Sequence, residues 1–276
     1  MKQNTFHKLK NCLLLILIVI LFSNCTNQNK NQTGNNVFRY NEHKNISSLD
    51  PAFAKDNANI WAVNQIFNGL VQMNDSLEVK PCIAKSWYIS GDQKTYVFNL
   101  RDDVYFHKHK LFGSQETRTV TAEDFVFSFN RIKDNSIASP GRWVMDQVSD
   151  IKAIDYKTLK IELKSPFPAF LGLLTMKYCS VVPHEIVNAS NLDFRKNPIG
   201  TGPFKFKLWK ENIKLVLRKN NLYFETDKNN IKLPYLEAIA ITFVPDKQSE
   251  YLEFIQGNID FISALEEKNG PKIKRI

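Results

Sequence analysis

The sequence is short of what catalysis and metal binding most often need. Its 276 residues include four cysteines and five histidines. Neither a G-x-S-x-G nucleophile elbow nor an H-E-x-x-H metal helix occurs, which removes two common hydrolase signatures. Glycine is sparse, at ten residues. The one stretch that looks like a phosphate loop, "GTGPF" (Gly200–Phe204), contains Pro203 and leads into a strand pattern, so no helix N-terminus faces a phosphate. Asp102 and Asp103 are adjacent; on a continuing strand they would point to opposite faces and could not share a proton. A solvated turn is the expectation there. His107 and His109 have possible metal spacing on one strand face but lack a nearby third ligand, and His43 and His184 are isolated. The net charge is +9. Lys2, Lys8 and Lys10 supply three of these charges, and the remaining +6 is spread among 28 acidic residues without a long run. No nucleic-acid partner is expected. No enzyme, metal or cofactor is expected either.

What is present begins at the N-terminus. "MKQNTFHKLK" is basic, and "CLLLILIVILF" (Cys12–Phe22) is an apolar run of eleven residues. A spanning helix needs about 20, so this is the length of a signal-peptide core. "FSNC" follows and resembles the lipobox of bacterial lipoproteins, in which the cysteine, here Cys25, is lipidated and becomes the mature N-terminus. Asn24 stands where Gly, Ala or Ser is usual. The alternatives are ordinary cleavage nearby or an uncleaved anchor. "TNQNKNQTGNN" (Thr26–Asn36) has nothing to bury and suits a tether holding a domain off a membrane. Cys82 and Cys179 remain; an extracytoplasmic setting permits a disulfide, but two small buried thiols are the expectation.

Along the rest of the chain, "ANIWAVNQIFNGL" (residues 58–70) places Ile60, Val63, Ile66, Phe67 and Leu70 at helical spacing, with Gly69 in the C-cap position. "TYVFNL" (95–100) alternates as a half-buried strand, and Val104, Tyr105 and Phe106 resume an aromatic strand. "VTAEDFVFSFNRIKD" predicts a helix capped by Thr121 and Asp124, with Phe125, Phe129 and Ile132 buried. "KTLKIELK" (157–164) predicts another strand. "CSVVP" (179–183) predicts a buried strand. "LEAIAITFVPD" is apolar enough for a strand buried on both sides. "KQSEYLEFIQGNIDFI" predicts a helix ending near Gly257, then a short strand over 259–262. The pattern is mixed α/β (α+β), with no internal repeat.

The densest set of quoted pieces is "AKSWYISGDQKTYVFNLRDDVYFH" (Ala84–His107) followed by "VTAEDFVFSFNR" (Val120–Arg131). With "SLDP" (48–51), "IFNGL" (66–70), "NPIGTGPFK" (197–205) and "GNID" (257–260), in that order, the chain resembles the family 5 extracellular solute-binding proteins of ABC importers, the oligopeptide- and dipeptide-binding group. The resemblance implies a type II periplasmic-binding-protein-like fold, in which two lobes close on a ligand about a hinge and a small domain is inserted near the start. It divides the chain into a lipoprotein signal peptide (1–24), a polar tether (25–36), lobe I (37–72 and 166–262), an inserted α/β subdomain (73–165) and a crossover (263–276). Lobe II is expected to be missing and lobe I incomplete, so that the chain alone binds peptide weakly or not at all. The implied partners are a peptide ligand, a permease with its ATPase, and the membrane through the N-terminal lipid. Lys55, Asp56 and Asn57 match the lobe I segment that approaches ligand in the family. Other cargo (nickel chelate, haem, oligosaccharide) and an interaction or remnant protein without ligand are the competing readings.

Overall fold

In the computed structural model the described residues are 36–263. Two four-stranded sheets organise them. The first is built from β1 (Val37–Asn41), β8 (Phe204–Lys210), β9 (Lys214–Lys219) and β10 (Ala238–Thr242), in the order β1-β10-β9-β8. β1 runs parallel to β10, with Val37 opposite Ala238, while β9 is antiparallel to both of its neighbours. β10 is buried from Ala238 to Ile241 on both faces, as its unbroken apolar run requires. The second sheet comes wholly from the stretch 84–163: β4 (Ala84–Ile89), β5 (Thr95–Leu100), β6 (Val148–Ala153) and β7 (Thr158–Leu163), in the order β4-β5-β7-β6, all antiparallel. A short hairpin, β2 (Val71–Met73) with β3 (Val79–Pro81), leads into it.

The period-two pattern of β5 is realised as expected. Tyr96, Phe98 and Leu100 are fully buried; Tyr96 lies opposite Ile161 and Phe98 opposite Leu159 of β7. Helix α2 (Ala122–Lys133) lies against this sheet and buries Phe125, Phe129 and Ile132. Its start is fixed by the Asp124 carboxylate, which accepts hydrogen bonds from the Thr121 N–H (2.9 Å) and Oγ1 (3.0 Å). Tyr96 also packs edge-on against Phe170 at the start of the one-turn helix α3 (Phe170–Leu173). A second core lies between the first sheet and helix α1 (Asn57–Ile66), where Ala62, Val63 and Ile66 meet Leu215, Leu217 and Ile241. Phe112 and Ile199 pack against both cores. Two shorter features complete the frame, α4 (His184–Val187) and α5 (Lys247–Ile255), the latter followed by Gly257 at φ 75°.

Four local expectations are corrected. The first helix stops at Ile66 rather than near Gly69, because Phe67 turns extended and the Ile66 carbonyl accepts the Gly202 N–H at 2.8 Å. Asn68 and Gly69 are drawn into pairing with Val181 and Ser180. Residues 104–106 form only an isolated bridge, Tyr105 to Thr119. Residues 179–183 are buried, but they too carry a single bridge instead of a strand. In the stretch 259–262 the pairing is reduced to Phe261 against Tyr40. In each case tertiary partners take only one or two backbone groups, and a regular ladder does not follow.

Candidate functional site

The "SLDP" turn is built around Asp50. Its side chain is 4% exposed, and Oδ1 accepts the Ala52 N–H at 3.0 Å to start a 3-10 turn over Pro51–Phe53. An isolated buried carboxylate is costly, so it needs a cation. Arg131, at the end of α2, supplies a bidentate pair with Nη1–Oδ1 at 2.9 Å and Nη2–Oδ2 at 2.5 Å. Ser139 Oγ donates to the Ala52 carbonyl at 2.6 Å. Gly141 follows, and any side chain there would run into the Tyr178 ring, 2.2 Å from its nearest atom. The turn is therefore held from two sides by residues of the stretch 120–141.

From this anchored turn the chain reaches Lys55, Asp56 and Asn57. Asp56 is the N-cap of α1, its Oδ1 accepting the Asn59 N–H at 3.0 Å. Asn59 is buried behind it and bonds Ser47 through the backbone N–H (3.0 Å) and the hydroxyl (2.8 Å). Asn57 is exposed at the first helical position. Lys55 is exposed as well, and among the described residues its ammonium has no ion-pair partner. Only Lys55 of the three lines a groove of about 380 Å³, together with Ser47, Ser48, Phe53, Ala138, Pro140 and Arg195. Arg195 is already held, by the Ser47 carbonyl (2.8 Å) and Glu211 (2.7 Å), and it stacks over Trp209. The groove thus offers one free ammonium, two serines and an aromatic ring, a surface suited to a polar, partly anionic ligand rather than to bond-breaking.

Arg131, Ser139 and Arg195 escaped the sequence reading. No local signal pointed to them: Arg131 has Asp134 three residues on as an apparent helical partner, and its pairing with Asp50 is set by the tertiary fold. Cys25, with residues 1–35, lies outside the described residues, as do residues 264–276 of the expected crossover.

The other sequence candidates resolve as structural. Asp103 is paired bidentately with Arg101 (2.8 and 2.7 Å), and Asp102 is exposed beside it. His107 and His109 do different work. His109 accepts the Leu111 N–H, whereas His107 is buried with Nε2 3.0 Å from the Gly202 carbonyl. Burial pushes the His107 ring down to about 4, so it is neutral and its Nε2–H donates to that carbonyl. An unfolded histidine titrates near 6.5, so the unfolded chain binds the extra proton first as pH falls. Stability from this site is full above about pH 6.5 and is lost toward pH 4, about 3 kcal/mol in all. Urea midpoints measured between pH 7 and 4 should fall along this curve, and His107→Gln should flatten it; an unchanged slope would remove His107 as the cause.

Asp124, His184 and Glu185 bring ligand atoms within 4.8 Å of one another. Arg118 fills that space, meeting Asp124 at 2.7 Å twice and Glu185 at 2.5 and 2.7 Å. The cluster already has its cation. Cys82 and Cys179 are free and buried, and burial pushes both thiols up to about 12. They are inert packing groups.

The comparisons with known proteins match this frame. The family model "Bacterial extracellular solute-binding proteins, family 5 Middle" matches residues 78–275. The chain is similar to the probable deoxycholate-binding periplasmic protein YgiS of Escherichia coli (28% identical; 81% of this chain, 43% of the relative). It is also similar to the oligopeptide-binding protein OppA of Bacillus subtilis (28%; 90% and 48%). Among solved structures it is similar to the ABC transporter-associated periplasmic binding protein DppA from Helicobacter pylori in complex with peptide STSA, at TM-score 0.72 and 30% identity. That likeness covers 81% of this chain and 45% of the other. The chain thus spans about half the length of the relatives it matches. It belongs to the family 5 bacterial extracellular solute-binding proteins, a family of non-catalytic transport components.

Proposed function

We propose that this chain supplies one wall of the ligand cleft of an extracytoplasmic solute-binding protein that captures oligopeptides or dipeptides for an ABC permease and its ATPase. The observation that carries the reading is the groove at Lys55, set on an anchored "SLDP" turn inside a family 5 frame. On this reading residues 37–72 and 166–262 are lobe I and residues 73–165 are the inserted subdomain. The separate origin of the second sheet, wholly within 84–163, supports that division. Lobe II, with the contacts that close over a peptide, lies outside residues 36–263. Cys25 is the lipid-bearing residue, and it places the domain at the outer face of a membrane. A non-peptide cargo is the second reading, favoured by the deoxycholate-binding name of one relative.

With one wall of the cleft, peptide is held weakly, at about 1 mM or above, since closure onto a second surface normally adds the decisive contacts. Titrating a mixed tripeptide–pentapeptide pool into the isotopically labelled chain should shift the amides of Ser47, Lys55 and Ala138 first. Lys55→Glu should abolish those shifts without changing the rest of the spectrum. Shifts confined to any other surface would overturn the assignment.

A further inference from the structure

Positive charge collects on one face of the first sheet. The segment 204–219, "FKFKLWKENIKLVLRK", carries six cations and one acid, and it forms β8, a hairpin turn and β9. Strand alternation divides it. Phe204, Phe206, Trp209, Leu215 and Leu217 turn to the core. The opposite face presents Lys205, Lys207, Lys210, Lys214 and Arg218, all exposed. Lys205 lies across from Arg218, and Lys210 from Lys214. Among the described residues none of these five cations has an ion-pair partner. Glu211 is taken by Arg195 (2.7 Å) and Lys196 (2.9 Å), and Glu237 by Lys219 (3.2 Å). Like charges facing one another across a ladder cost stability. Protection of an open edge accounts for lysines on β8, the edge strand. It does not account for Lys214 and Arg218, because β9 is paired on both sides.

Two further features select the anion that such a face would meet. Leu208 and Ile213, 50% and 54% exposed, stand among the lysines, whereas the aromatic side chains of β8 all pack on the core side. Nucleic-acid bases would find nothing to stack on there, but apolar side chains ringed by lysines suit a lipid headgroup layer. The second feature is reach. β1 of the same sheet begins at Val37, twelve residues after Cys25, and that length of chain spans at most about 40 Å. A lipid on Cys25 would hold the sheet within that distance of the membrane surface. We infer that the outer face of β8 and β9 docks on anionic phospholipid headgroups, its five cations meeting phosphates. The inference rests on the membrane anchor in the proposed function and goes beyond it, since it fixes which face of the domain the membrane sees.

The test is lysine footprinting of the 276-residue chain reconstituted into vesicles of phosphatidylcholine, alone or with about 30% phosphatidylglycerol. Acetylation is followed by mass spectrometry. On the anionic vesicles Lys205, Lys207, Lys210 and Lys214 should react at least about threefold more slowly than on phosphatidylcholine. Lys80 and Lys85, exposed on β3 and β4, should keep their rates. Sodium chloride at about 0.5 M should remove the protection by screening. Lys205→Gln with Arg218→Gln should return Lys207 and Lys214 toward their phosphatidylcholine rates; both substituted positions are exposed, so circular dichroism should show the variant folded. Equal rates on the two vesicle types, or the same slowing at Lys80 and Lys85, would overturn the docking face. So would protection by soluble polyglutamate without protection by vesicles, since the occupant would then be an acidic protein. The intact mass of the same sample reads lipidation of Cys25 separately. A chain without lipid contradicts the proposed anchor, while the contrast between vesicles still decides the face.

Discussion

Replacing Arg131 by methionine is expected to lower the free energy of unfolding by about 3–5 kcal/mol. The change removes both hydrogen bonds to Asp50 and leaves a carboxylate that is almost wholly buried without a cation. Lysine would not rescue it fully, because a point charge cannot reproduce the planar two-bond geometry. Asp50→Asn combined with Arg131→Met should recover part of the loss, since the uncompensated charge is gone. The matched control is Arg101→Met. Its pair with Asp103 is more exposed, and the cost should stay under about 1 kcal/mol. Chemical denaturation of the four variants measures these differences directly. Hydrogen exchange adds a local readout: amides of residues 52–57 should lose protection in Arg131→Met before the rest of the chain does. If Arg131→Met costs no more than Arg101→Met, the pair does not anchor the "SLDP" turn.

Gly200→Ala is the second large effect expected, a loss of about 3 kcal/mol or more. A Cβ at Gly200 would sit 2.1 Å from the Ile66 carbonyl oxygen and 2.7 Å from the Phe67 ring. The obstacle is mainly backbone, so rotation of a side chain cannot relieve it. A Cβ at Gly202 would meet the same carbonyl group, 2.5 Å from Ile66 C, while the Gly202 N–H donates to that carbonyl oxygen. Both glycines are needed for closeness of approach, not for an unusual backbone angle. Gly172 has open space around its Cβ position, and alanine there should be neutral or slightly stabilising within its short helix. Thermal melts should therefore fall sharply for Gly200→Ala and stay level or rise slightly for Gly172→Ala. An unshifted melt for Gly200→Ala would mean that α1 and the 197–205 turn can separate without cost.

Both predictions concern places where quoted motifs meet, and this is where sequence and structure part company. β5 and α2 were legible because their determinants are local: alternation of Tyr96, Phe98 and Leu100, and a helix start written in Thr121 and Asp124. The end of α1 was not legible. Gly69 looks like a C-cap, but the helix is ended three residues earlier by Phe67 turning into the core and by a hydrogen bond from Gly202, far along the chain. The turn at Asp102 and Asp103 could be inferred, although the bidentate Arg101 partner needed the structure. The three candidate positions 55–57 have different surroundings. Lys55 could be carried over from the ordered resemblance and does line the groove, whereas Asp56 is committed to capping α1. Asp50 and Arg131 were each inside a recognised motif, but nothing local in either motif announces a pair 81 residues apart. Ala138, Pro140 and Arg195 reach the groove only through tertiary folding.

On the proposed reading, this chain provides one wall of a peptide cleft and capture requires a second. Isothermal calorimetry of the mixed tripeptide–pentapeptide pool tests it most directly, first with the chain alone and then with its complex with a second half. At micromolar protein the account predicts no measurable heat of binding for the chain alone and saturable binding for the complex. Micromolar or tighter binding by the chain alone would contradict it.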